Sequence, residues 1–220
     1  MRKISLVLPF AVLFLLVSFM LTDLRAEESS IENYFPMKLN VGYYYDAVQG
    51  PTDVLGRWQY QICIKKERVG GELTGVFHTF WYNIKNIKWE TIAVYSIGDK
   101  EIFLNYRESS LGGSYQYVSR PIILKIPQKG RKEKWEREDE RDSTGKSKAK
   151  VVHTSEYVST LKTALGTFQD VIMVTQLTYL SDKLITTDVK YYTKDLGLIR
   201  EEIGRGKDKV IIDLVKVENN

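Results

Sequence analysis

The chain has 220 residues, with 32 Lys and Arg against 28 Asp and Glu and a formal charge of +4. It is too apolar and too weakly charged for a disordered chain, and not basic enough for nucleic acid to be the expected partner. The part beyond residue 26 is long enough for one good-sized core.

Residues 1–26 read as an export signal. Met1-Arg2-Lys3 is a short basic start, Ile4 to Thr22 carries no charge, and Leu24-Arg25-Ala26 ends on a small residue at a cleavage point. The apolar run is long, and Leu24 fits poorly two residues before the cut, so a retained helical anchor stands beside cleavage as a second reading. Membrane contact is expected only through this segment, and only if it is kept. No Cys follows the apolar run, which disfavours a lipid anchor. On either reading the body is exported.

The body, residues 31–218, is expected to be one β-rich domain. Trp58, Tyr60, Ile62 and Ile64 are spaced by two, and so are Leu73, Gly75, Phe77, Thr79 and Trp81. Trp89 to Tyr95, Ile102 to Tyr106, Val171 to Thr175, Val189 to Thr193 and Val210 to Leu214 repeat the pattern. Period two over four to eight residues marks a half-buried strand. Gly70-Gly71, Asn83 to Asn86, Gly98-Asp99, Gly112-Gly113, Ser181-Asp182 and Gly204 to Gly206 punctuate these runs as turns. The expected fold is mainly β, an antiparallel curved sheet or incomplete barrel preceded by the signal helix.

Helices are scarce. Tyr157 to Ala164 is a weak candidate. Lys129 to Asp142 has favourable four-apart charge pairs, but Trp135 alone is apolar there, so a helix would have no face to bury. Residues 129–150 hold nine basic and six acidic side chains. They read as a long exposed strand or hairpin arm, its tip at Asp142 to Gly145. The mixed charge suits an edge that resists strand-to-strand aggregation; a docking surface is the alternative.

Common chemistries are missing. Cys63 is the single cysteine, in an alternating apolar context that suits a buried strand position, so no internal disulfide is available. His78 and His153 have no His or Cys partner at zinc spacing. There is no nucleophile elbow, phosphate loop or dinucleotide fingerprint. No cofactor or metal is expected, and the chain reads as a non-enzyme.

Aromatic clusters are the remaining signal. Rings at Tyr44, Trp58, Tyr60, Phe80, Trp81, Tyr95 and Tyr191 sit on both faces of their strands. Tyr tolerates a core on one side and water on the other; alternatively, these rings line a groove for a hydrophobic ligand such as a lipid. An interaction or structural module that docks on an envelope protein is the first functional expectation. A carrier of a hydrophobic small molecule is the second.

Three segments then carry a resemblance. Tyr34-Phe35-Pro36-Met37-Lys38-Leu39-Asn40-Val41-Gly42-Tyr43-Tyr44-Tyr45 resembles the "YFPLxxGxxWxY" opening of exported bacterial proteins in the domain-of-unknown-function 3108-like group. Ala164-Leu165-Gly166-Thr167-Phe168 through Val174 is similar to its "PAGTFxxxxxV" segment, and Tyr191 to Glu201 to its "YYAxGVGLVKxE" segment. Leu165 and Asp195 depart from the pattern, as does the approach Lys162-Thr163-Ala164. The resemblance implies a periplasmic or outer-envelope β-rich bacterial protein with no assigned reaction, so no catalytic residue carries over. Its motif positions here are Pro36, Gly42, Gly166, Thr167, Phe168, Tyr191, Tyr192 and Gly197. Gly166 and Gly197 are expected to supply backbone conformations or close approaches that a Cβ would forbid. Phe168 is expected to plug the core, and residues 148–217 to form four or five meandering strands.

Overall fold

The computed structural model describes residues 30–51, 58–82, 88–110, 113–116, 120–140 and 148–219. The export segment, the turn at Asn83 to Asn86 and the arm tip at Asp142 to Gly145 lie outside the described residues. No helix among the described residues is long and apolar enough to cross a membrane.

Thirteen strands form one antiparallel sheet. In chain order they are β1 (Val41–Gln49), β2 (Trp58–Val69), β3 (Glu72–Tyr82), β4 (Lys88–Ile97), β5 (Glu101–Ser109), β6 (Gly113–Gln116), β7 (Ile122–Lys125), β8 (Glu133–Glu140), β9 (Lys148–Lys162), β10 (Thr167–Leu180), β11 (Lys183–Thr193), β12 (Gly197–Ile203) and β13 (Val210–Asn219). Their spatial order runs β6-β5-β4-β3-β2-β1-β13-β12-β11-β10-β9-β8, and β7 pairs with β5. Apart from the β1–β13 and β5–β7 pairs, paired strands are consecutive in the chain, which is what closely spaced turn signals dictate. Ser181 and Asp182, both at positive φ, make the two-residue turn between β10 and β11.

The sheet curls until its two ends meet, nearly closing a barrel. Trp135 on β8 donates its indole N–H to the carbonyl of Ile122 on β7 at 3.1 Å. Lys125 on β7 lies 5.7 Å over the same ring. A side chain thus bridges the seam, which blunts the two edges without a ladder.

The expected parity holds. Leu73, Gly75, Phe77 and Thr79 face inward and are buried, while Val76, His78 and Phe80 alternate with them outward. Residues 129–140 include the exposed strand β8, paired with β9 from Glu133–Ser155 to Glu140–Lys148. Ion pairs lie along this arm: Lys134–Glu136 and Lys150–Glu136 are 2.8 and 2.9 Å apart, and Lys132–Glu156 is 2.8 Å. The segment Tyr157 to Ala164, a weak helix candidate by sequence, is strand as far as Lys162. Each residue from Tyr157 to Val158 and from Thr160 to Lys162 pairs with β10, and this ladder outweighs the local propensity. Five strands, β9 to β13, fill the C-terminal block.

One element was not foreseen. Residues 31–37 enter the barrel as a plug. A single helical turn, α1 (Ile31–Tyr34), is closed by Phe35 N–H to Ile31 O at 3.2 Å. Ile31, Tyr34 and Met37 are almost fully buried against Cys63, Phe77, Ile102, Leu124 and Tyr192. Phe35 meets Phe77 and Tyr95 edge-on at 5.5 and 5.1 Å. The plug is tied at its ends: Asp195 N–H donates to Asn33 O at 2.7 Å, and Asn40 N–H to Cys63 O at 3.2 Å. A curved sheet without a covering helix needs some filling for its concave face, and the chain supplies its own.

A second cluster, Val41, Tyr43, Tyr45, Val171, Ile199 and Leu214, packs with Phe168, Leu161 and Tyr191. Beside it Asp213, 1% exposed, takes a two-pronged bond from Arg200 at 2.6 and 2.8 Å. It also accepts Ala164 N–H at 2.7 Å, which pins the β9–β10 turn.

Candidate functional site

The rings singled out by sequence divide between the two faces of the sheet. Trp81 and Tyr95 face inward. Trp81 stacks parallel on Trp89 at 5.9 Å and donates to Thr91 Oγ1 at 3.4 Å. Tyr95 packs on the plug through Phe35. Tyr191 is half-buried against the second cluster. The side chain of Trp58 lies outside the described residues.

Inside, the plug leaves little room. A partly open pocket of about 30 Å³ lies beside Phe35, Pro36, Tyr43, Tyr45 and Leu198. That is room for about one water, where a drug-sized ligand needs roughly 300–1,000 Å³. Several motif residues meet here. Pro36 and Gly197 touch: a Cβ on Gly197, which sits at φ 75°, would lie 3.0 Å from Pro36 Cδ. The first and last motifs are therefore two halves of one contact, and Tyr192 is buried under the plug. At Gly75 a Cβ would come within 2.6 Å of Met37 Sδ, so the plug also needs that glycine. Gly166 stands at φ 152° at the β9–β10 turn, with Thr167 exposed after it and Phe168 half-buried behind.

The inner wall also carries polar groups that sequence reasoning missed. Lys190 and Glu201 are register partners 3.2 Å apart, and Glu201 raises the ammonium pKa. Tyr45 donates to Leu198 O at 3.1 Å, and burial pushes its phenol well above the usual range. Burial likewise raises Tyr43 and Tyr192 to about 12. The signal was present in the alternation: Tyr43 and Tyr45 have the opposite parity to Tyr44. Among the described residues, no group of three or more His, Cys, Asp or Glu is placed to hold a metal.

His153, 2% exposed, stacks on Trp135 at 5.0 Å and bonds Gln176 at 3.2 Å. Burial, and then the Arg137 guanidinium, lower its pKa to about 4 from 6.5. The unfolded chain therefore binds the proton first. Stability is complete above about pH 6.5 and falls as the pH drops through 6.5 toward 4, by on the order of 3 kcal/mol. Urea midpoints at pH 7 and 4.5 should differ for the native protein and differ less for His153→Gln. Equal shifts in both would contradict this assignment.

Outside, three of the expected rings do come together. Lys216, Tyr44, Tyr60, Phe80 and Glu90 are successive cross-strand partners on β13, β1, β2, β3 and β4. Tyr44 and Tyr60 lie 4.7 Å apart, Tyr60 and Phe80 6.0 Å. Lys216 stands 5.4 Å over Tyr44. His78 lies 4.0 Å from Phe80 and bonds Glu90 at 2.9 Å. A Cβ at Gly42 would collide with the Tyr60 ring, so the motif glycine lets that ring lie flat on the sheet. Bonds to Lys216, and then to Tyr44, hold Glu218 below the usual carboxylate range. The result is a half-exposed aromatic row capped by a cation at one end and an anion at the other.

No protein-family model matches the chain, and no curated protein is similar in sequence. Solved structures are. A provisionally assigned lipoprotein from Parabacteroides distasonis superposes with a TM-score of 0.53 at 13% identity, covering 87% of this chain and 100% of that one. The chain shares that fold. A provisionally assigned exported protein with a YmcC-like fold from Bacteroides fragilis gives a TM-score of 0.48 at 11% identity, over 84% of this chain and 98% of that one. A β-barrel-like protein of the domain of unknown function DUF1849 from Brucella abortus gives 0.38 at 11%, over 82% and 96%. None of the three bears the name of the 3108-like group.

Proposed function

We propose that this chain is a non-enzymatic, exported protein of a bacterial envelope that works as an interaction or structural module. The observation that carries this is the plug inside the barrel. Residues 31–37 are buried inside the barrel, and the pocket beside them holds about 30 Å³. The resemblance of its three motifs to the 3108-like group supports the same reading, because Pro36, Gly197 and Tyr192 converge on the plug. The name given to the Parabacteroides neighbour, a lipoprotein, supports an envelope location.

The geometry favours the outer aromatic row over the charged arm as the docking surface. The ion pairs of Glu136 on β8, with Lys134 and with Lys150 of β9, are solvated, and such pairs add little to binding. The aromatic row offers half-exposed rings of the kind that anchor interfaces. Native mass spectrometry of protein purified from its own envelope fraction tests the reading. The expected spectrum contains protein masses alone. A bound lipid-sized adduct would replace the module with a carrier.

A further inference from the structure

We infer that the outer aromatic row is a self-association surface, on which a second copy of this chain docks about a twofold axis running along β2 through Tyr60. The inference rests on the interaction-module reading and names the partner. The row reads Lys216, Tyr44, Tyr60, Phe80, Glu90 across five adjacent strands. Tyr60 is its midpoint. A twofold axis lying in the contact plane, parallel to β2, reverses the row. Lys216 of each copy then faces Glu90 of the other, Tyr44 meets Phe80, and Tyr60 meets Tyr60.

One patch thus complements itself in both charge and aromatic content, which is the requirement for an isologous interface. Both charged ends are reachable: the side chains of Lys216 and Glu90 are 58% and 40% exposed. Each already has a neighbour on its own chain, Glu218 for Lys216 and His78 for Glu90. Those neighbours hold the two charges at the ends of the row, and the facing copy adds a further contact. Half-buried Ile62 and Ile92 flank His78 on the same face and widen the apolar part. A partner of general apolar character would need the rings. A reversed copy also uses the opposite charges at equal distances from Tyr60.

Sedimentation equilibrium of the purified protein, with charge exchanges at the two ends, tests this. The native protein is expected to dimerise. Lys216→Glu and Glu90→Lys each set two like-charged contacts across the axis, so each should weaken the dimer by about tenfold or more. Mixing the two single variants should restore association, because every contact in the heterodimer then joins opposite charges. The double variant should dimerise with itself for the same reason. Within one copy the two positions are four strand spacings, roughly 19 Å, apart and cannot repair each other. Circular dichroism and melting establish that each variant folds. The milder pair Lys216→Ala and Glu90→Gln should also weaken the dimer, with unchanged melting once dissociated.

A native protein that stays monomeric at on the order of 100 μM overturns the inference. So does a dimer indifferent to every exchange. A monomer that still co-purifies with another envelope protein would end this inference and leave the module reading intact. A lipid adduct in the native mass spectrum would end the module reading and leave the dimer to be judged by the exchanges.

Discussion

Phe35→Ala should destabilise the protein by about 3 kcal/mol. Phe35 touches Phe77 and Tyr95 edge-on and sits in the middle of the plug. Its removal leaves a hole beside a cavity that already exists, and it forfeits two ring contacts. The neighbouring segment cannot slide in, because Asn33 and Asn40 are tied by backbone bonds on either side. Leu39→Ala, at a side chain 50% exposed, is the control and should change stability by less than about 0.5 kcal/mol. Urea unfolding of the two variants provides the check. Similar midpoints would mean that the plug is dispensable surface.

The second large effect lies at Arg200. Its guanidinium is the two-pronged partner of Asp213, whose side chain is 2% exposed. Arg200→Met strands that carboxylate in the second cluster and should cost about 3–5 kcal/mol. Adding Asp213→Leu removes the stranded charge and should return part of the loss. It cannot return all of it, because Ala164 N–H then has no acceptor, which costs about 1–3 kcal/mol. Thermal melts of the single and double variants measure this. A double variant as unstable as the single would show that the loss does not come from a stranded charge.

The strands were legible because period two is a local signal. Leu73, Phe77 and Thr79 alternate with Val76, His78 and Phe80 in the sequence and across the sheet alike. The charged arm was legible for the same reason, since Trp135 alone breaks its polar pattern. The plug was not legible. Residues 31–37 shortly precede the first strand, and nothing local says that a chain turns back into a barrel. The motif likeness named Pro36, Gly197 and Tyr192 without showing that they share one contact, because their proximity depends on the closure of the whole sheet. The ring list mixed two faces. Tyr60 and Phe80 share an outward parity while Trp81 and Tyr95 point inward, and ring clusters on consecutive residues hide that division. Lys190 and Glu201 needed the β11–β12 register to become a pair.

The single cysteine gives direct access to the central claim, that residues 31–37 stay seated in the barrel. Cys63 is fully buried in the same cluster as Met37, its backbone accepts Asn40 N–H, and burial raises its thiol pKa. The measurement is the rate at which Cys63 reacts with a thiol reagent in the native protein, with and without low urea. A seated plug predicts labelling many orders of magnitude slower than in the unfolded chain, accelerated by Phe35→Ala and by urea in step with global unfolding. Labelling of the native protein at nearly the rate of an exposed thiol would contradict it.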